Sequence, residues 1–215
     1  MNRRQFLGAS SAALVASKAV RPVFSQSSPH LTPFVDPLPI PPVLHPNPGI
    51  TIIRMTQFQM KHHHDLPPTT VWGYNGSVPG PTIEARSGTP VFVNWQNNLP
   101  NVHPYANAID RTLHGGVPGA PDVRTVVHLH GLKVLPESDG YPEAWFSPNY
   151  ARVGPFFTTP IYTYPNDQQA TTLWYHDHAV AITRLNVHLG LTGMYIIRDD
   201  AEDALNLPKA RSKFL

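Results

Sequence analysis

Residues 171–180 read TTLWYHDHAV. In an extended chain successive side chains point to opposite faces, so Trp174, His176 and His178 share one face and Leu173, Tyr175 and Asp177 the other. Residues 125–134, TVVHLHGLKV, repeat the arrangement, with His128 and His130 on one side and Val127 and Leu129 on the other. The apolar alternation marks both stretches as half-buried β-strands. Residues two apart on one face lie roughly 6.5–7 Å apart, a spacing that suits two neighbouring metal ions better than one. Two such strands side by side would surround a polynuclear site with four imidazoles, and neutral imidazole suits copper, zinc, iron and nickel. One His-x-His in a strand is unremarkable. Two pairs in apolar strands, where an uncompensated polar group is costly, point to metal. By the same alternation Asp177 is a poor direct ligand, although it sits between two good candidates.

Composition narrows the rest. The chain has 215 residues, 14% of them charged, with 25 prolines and no cysteine. An interior proline removes a helix hydrogen bond and clashes with the preceding turn, so long helices are not expected. The absence of cysteine excludes disulfides, zinc–thiolate sites, cysteine nucleophiles and any copper centre that this chain alone would ligate through a thiolate. The first residues, MNRRQFLGASSAALVASKAV, place a basic start ahead of a short, mildly apolar run, the form of a secretory signal. That run is too short to span a bilayer, which takes roughly 20 apolar residues. Arg3-Arg4 with Phe6-Leu7 resembles a twin-arginine signal, so residues 1–25 are expected to direct export to the periplasm or beyond, with cleavage near Ala19 or Ser25. Losing Arg3, Arg4, Lys18 and Arg21 would turn the formal charge of +2 to about −2, which leaves no basic excess for nucleic acid.

Residues 26–48 are too rich in proline for a regular element and read as an extended strap or linker. Strand-like stretches follow: 49–60, then TTVWGYNG with the turn dipeptide Asn75-Gly76, PTIEARSG, TPVFVNWQNNLP, PIYTYP and TGMYIIRD. Val91, Val93 and Trp95 fall on one face of their strand and Phe92, Asn94 and Gln96 on the other. The single helical candidate is short, around residues 181–188. Many short strands separated by turn signals predict an all-β, Greek-key sandwich or barrel with long proline-rich loops. His62, His63 and His64 read as a solvated turn, and His30, His45, His103, His114 and His188 as loop or surface residues.

VVHLHGL, ESDGYPEAWFS and LWYHDHAVAITRLNVHLGLTGMYIIRD, together with DLPPTTVWGYNGSVPGPTIEARSG, resemble the first cupredoxin-like domain of multicopper oxidases, in the bacterial spore-coat laccase and bilirubin oxidase branch. The likeness runs from about residue 30 to residue 208 and assigns residues 49–208 to that plastocyanin-like domain. It implies a laccase-like oxidase in which phenolic or pigment-like reductants are oxidised and dioxygen is reduced to water at a trinuclear copper cluster held by four His-x-His motifs. The resemblance implies that His128 ligates the type 2 copper and that His130, His176 and His178 ligate the type 3 pair. It also implies that Asp139 helps deliver protons to bound oxygen; on position alone Asp139 is a turn aspartate before Gly140.

The family also requires a type 1 copper held through a cysteine, and two further His-x-His motifs. This chain carries neither. Residues 209–215, KARSKFL, resemble nothing in the family and read as the tail of a truncated chain. The expectation is therefore half of the cluster ligands, catalytic incompleteness in isolation, and a complementary chain or further domains as partner. A non-catalytic copper-binding or partner-binding module is the alternative. A His-x-His metallohydrolase would need strands alternating with helices over roughly 250 residues, which the sequence does not offer.

Overall fold

A computed structural model describes residues 28–207. The proposed export signal, residues 1–25, and the tail, residues 209–215, lie outside them. The chain divides into two units, residues 1–34 and 35–215. Of the first, residues 28–34 are described and are irregular, ending in a turn in which Phe34 has φ 61°. All that follows concerns the second.

Among the described residues nine strands form two sheets. The first has the order β1 (Val43–Leu44), β4 (Gly80–Arg86), β9 (Thr192–Arg198), β8 (Thr171–Asp177), β6 (Val127–His130). The second runs β3 (Thr69–Tyr74), β2 (Ile50–Met60), β5 (Val91–Asn97), β7 (Ile161–Tyr164). Parallel pairs (β1–β4, β4–β9, β2–β5) mix with antiparallel ones (β2–β3, β5–β7, β6–β8, β8–β9). The architecture is the expected all-β sandwich, each expected strand-like stretch supplying a strand. The two sheets hold a shared core between them: Ile53, Met55, Trp72, Tyr74, Val93 and Trp95 from the second sheet, and Ile83, Leu129, Tyr175, Tyr195 and Ile197 from the first.

Local chemistry explains the path. Val91, Val93 and Trp95 are buried and Phe92 faces out at 37% exposure, as the period-two pattern requires. Asn75 and Gly76 both take positive φ, 50° and 74°, the combination of a type I′ turn. Here that turn carries the chain from β3 in one sheet to β4 in the other. The ring of Tyr175 lies across two glycines: a Cβ on Gly193 would stand 2.3 Å from its ring and hydroxyl, and one on Gly80 would stand 2.7 Å from the hydroxyl. That hydroxyl donates to the Pro81 carbonyl at 2.7 Å.

Three expectations need correction. The strap does supply a regular element, since β1 pairs with β4 through Val43 and Leu44; proline is excluded from only one of the two hydrogen-bonding edges of an outer strand. The helix expected at 181–188 is present as α2 (Thr183–Leu189), but α1 (Pro136–Asp139) and α3 (Asp200–Ala204) accompany it. Pro136 is tolerated in α1 because it stands in the first turn, where its missing N–H breaks no bond. His103 is not a surface residue but is 2% exposed, packed edge-on to Trp72 at 4.7 Å.

Candidate metal centre

The four histidines converge at the edge of the first sheet. Antiparallel pairing of β6 with β8 sets His128 opposite His176 and His130 opposite Trp174. Directly opposed residues share a face, so one alternation places His128, His130, Trp174 and His176 on the same side, while Val127, Leu129, Leu173, Tyr175 and Asp177 are buried behind them. His178 follows the last residue of β8, and its N–H donates to the Val126 carbonyl at 2.8 Å, which keeps it beside β6. Its ring lies 5.2 Å from that of His128 and 5.4 Å from that of His176. The His128–His130, His128–His176 and His130–His176 ring separations are 5.4, 5.6 and 5.8 Å. One nitrogen from each of His128, His130 and His176 falls within a common 4.8 Å.

The nitrogens are not equivalent. His128 Nδ1 lies 2.5 Å from the Asp139 carbonyl oxygen and His176 Nδ1 2.7 Å from the Asp177 carbonyl oxygen. A carbonyl only accepts, so each Nδ1 carries the proton and each Nε2 is left with its lone pair, the state in which imidazole ligates metal. His176 Nε2 and His178 Nδ1 are buried without a hydrogen-bond partner among the described residues. Such orphaned groups forfeit the hydration they had in the unfolded chain. Burial, with smaller contributions from the neighbouring imidazoles, pushes His176 down to about 4 and lowers His178 as well. Both are neutral at neutral pH. Neutral, pre-oriented imidazoles with unsatisfied lone pairs and no competing thiolate fit copper ions.

Three residues outside the histidine motifs shape this face. Trp174 stacks on His176 at 4.1 Å and on His130 at 5.4 Å. Gly140 ends α1 with φ 79°, and a Cβ there would lie 2.1 Å from the Val127 carbonyl oxygen and 2.8 Å from His128 Cα. Only glycine combines that left-handed turn with so close an approach to β6, and the approach brings the Asp139 carbonyl onto His128. The Asp139 carboxylate, 45% exposed, stops 3.5 Å from His128 Nδ1, too far for a good hydrogen bond. Asp177 is fully buried on the core side, as its place in the alternation predicts, and burial pushes it up to about 7 against the hydrogen bonds it accepts.

The other histidines divide. His30, His45, His114 and His188 are exposed. His62 is exposed, but His63 and His64 are half-buried, not solvated: their rings stack at 4.4 Å, and Asp36 bonds the main-chain and Nδ1 nitrogens of His64 at 2.9 and 3.0 Å. Asp36, His63 and His64 bring three donor atoms within 4.8 Å. The two rings are stacked with an interplanar angle of 29°, and Asp65 lies 3.8 Å from His63 and 3.1 Å from His64. This cluster is an ion-pair and hydrogen-bond knot.

The multicopper oxidase family model matches residues 54–107 and 119–202. Over 185 residues the chain is 54% identical to a laccase of Bacillus stratosphericus, covering 84% of this chain and 36% of that protein. It is 50% identical over 185 residues to a laccase of Bacillus subtilis (strain 168), covering 83% and 36%. Among solved structures, a laccase from Pediococcus acidilactici Pa5930 superposes with a TM-score of 0.62 at 30% identity, covering 81% of this chain and 32% of that one. The chain thus spans about a third of the length of these laccases.

Proposed function

The chain belongs to the multicopper oxidase family, and from that premise we propose that His128, His130, His176 and His178 are one half of the ligand set of a polynuclear copper site, His128 serving the type 2 ion and the other three the type 3 pair. Family membership implies copper, with dioxygen and an oxidisable substrate as reactants. The observation that carries the proposal is the pair of buried, partnerless nitrogens on His176 and His178, the first of them the Nε2 whose lone pair is left free by a carbonyl on Nδ1, as it also is in His128. Copper bound there supplies the capacity to pass electrons to dioxygen.

The chain's own residues provide placement and dryness. Carbonyl bonds fix the tautomers of His128 and His176, Trp174 backs two of the imidazoles, and the buried Val127, Leu129, Leu173 and Tyr175 close the site from behind. The Asp139 carboxylate, 45% exposed and 3.5 Å from His128 Nδ1, would hold and pass a proton between solvent and the site. The remaining donors, the type 1 copper and the substrate pocket belong to a surface outside this chain, so the isolated chain is catalytically incomplete and a complementary chain or further domains complete it. Residues 1–25 carry the proposed export signal, and no helix among the described residues is long and apolar enough to cross a membrane.

Elemental analysis of the dialysed chain, beside the His128→Ala/His176→Ala double variant, tests this reading. Copper retained by the wild type and lost from the double variant is expected. Equal copper in both would remove the histidines from the site. Oxidation of a phenolic dye in proportion to purified chain, abolished by His176→Ala, would overturn the proposed incompleteness.

A further inference from the structure

Asp177 lies between two proposed ligands yet faces away from them, and its carboxylate gathers donors from three separate segments. Oδ1 accepts the Val126 N–H at 3.1 Å, two residues before His128. Oδ2 accepts the Ala179 N–H at 3.2 Å, immediately after His178, and the Asn186 Nδ2–H at 2.9 Å. One carboxylate therefore grips the entry to β6 and the exit from β8, the two backbone points that set how the histidine pairs face each other.

The grip is itself oriented. Asn186, fully buried on α2, also donates to the Arg124 carbonyl at 2.9 Å, while its Oδ1 lies 3.1 Å from His103 Nε2. His103 Nδ1 accepts the Tyr105 N–H at 2.9 Å, so the His103 proton is on Nε2 and points at Asn186. Each donor and acceptor along this line is forced by the next, and the Asn186 amide has only one workable orientation. A core that needed only volume would hold an apolar side chain at position 177 at lower cost. A buried carboxylate with three converging donors specifies where those segments stand.

Resting on the copper reading above, we infer that Asp177, Asn186 and His103 form a positioning network for the metal face, setting the separation of the two His-x-His pairs from behind without touching the ions. Outer partners of metal ligands commonly govern affinity in this way.

The test separates positioning from bulk stability. Cu(II) is titrated into the full chain and followed by electron paramagnetic resonance for the wild type, Asn186→Leu, His103→Gln and Ile53→Ala. Ile53 is a core residue of the other sheet, so Ile53→Ala controls for lost stability. Asn186→Leu is expected to weaken Cu(II) binding by about 10- to 100-fold and to alter the copper hyperfine splitting. His103→Gln retains a donor to Asn186 and should keep the wild-type affinity and spectrum, as should Ile53→Ala despite its lower Tm. Wild-type affinity in Asn186→Leu, or a parallel loss in Ile53→Ala, overturns the inference.

If the wild type holds no Cu(II) at the histidines, the copper reading fails on its own. The inference is then decided by imidazole 15N spectra of the metal-free chain. The Nδ1–H forms of His128 and His176 should persist in His103→Gln and be disturbed in Asn186→Leu; unchanged spectra in Asn186→Leu refute it. If Asn186→Leu does not fold, His103→Leu, which removes the bonds to Asn186 and from the Tyr105 N–H but leaves the Asp177–Asn186 bond in place, is read by the same criteria with a smaller expected change.

Discussion

Asp139 and Gly140 act on the metal face through their backbones. Asp139 reaches His128 with its carbonyl, and Gly140 allows that carbonyl to arrive. Asp139→Ala should therefore leave copper retention near the wild-type level, because the carbonyl bond survives the loss of the side chain. Gly140→Ala should abolish retention: the left-handed conformation costs an ordinary residue roughly 1–2 kcal/mol, and the new Cβ would collide with β6. Parallel copper analyses of the two variants check this, and equal losses would mean that the carboxylate matters as much as the carbonyl. His103 carries a pH prediction. Burial lowers it below its ordinary value of about 6.5, so on acidification the unfolded chain takes up that proton first and the folded state loses stability. His176 and His178 act in the same direction. Asp177, raised to about 7, acts in the opposite one, since the folded chain protonates it first. Three groups outweigh one, and Tm should fall as pH drops below about 6.5. His103→Gln should make that fall shallower; an unchanged slope would exclude His103 from it. The paired histidines could be read from alternation alone. The burial of His103 could not, because a lone histidine in a loop has no period to indicate which way it faces.

Among the elements, strands declared themselves through period two, and His128, His130 and His176 inherited their common face from it. The elements that stayed hidden are the short ones. Val43–Leu44 is two residues long inside a proline-rich run, and the four residues of α1 make one turn, less than any hydrophobic period needs in order to show. What the alternation could not supply was register: it set His128 and His176 on the same kind of face, but only the pairing of β6 with β8 set them opposite each other. The sheet interior also has a close approach that no pattern announces, Tyr175 lying over Gly193. Gly193→Ala would force that ring aside or spread β8 from β9, and overpacking of this kind costs about 1–3 kcal/mol. A thermal melt should show Tm lower by several degrees. An unshifted melt would mean that the ring has room to move.

For the sandwich as a whole, exposed apolar residues lie beside the proposed metal face and also on the outer side of the second sheet. Leu135, Trp174 and Met194 are exposed in the first sheet's histidine region, while Ile50, Ile52 and Phe92 are exposed on the outer side of the second, with Ile50 directly opposite Phe92. Contiguous apolar surface on a soluble domain marks a contact with another protein. The chain should therefore associate at moderate concentration and bind a hydrophobic dye, and Ile52→Glu/Phe92→Glu should reduce both without lowering copper retention. Sedimentation of the two proteins side by side checks this; identical profiles would mean that the second sheet's outer side is not the contact. The proposed counterpart rests on the sequence's inventory, no cysteine and two His-x-His pairs, set against the family resemblance, whereas which outer surface is left apolar became visible only once the strands were paired.

Strand β9 is the last strand among the described residues and the middle strand of the five-stranded sheet, with β4 on one side and β8 on the other. Ile83 must wait for Tyr195, and β8 has no inner neighbour until Thr192–Arg198 has been synthesised. A ribosome therefore releases the His128–His130 pair about 60 residues before Thr192 and the His176–His178 pair about 14 residues before it. On the copper reading proposed above, the four imidazoles meet ions singly during that interval, so the order of synthesis would bear on when metal is loaded as well as on how tightly it is held.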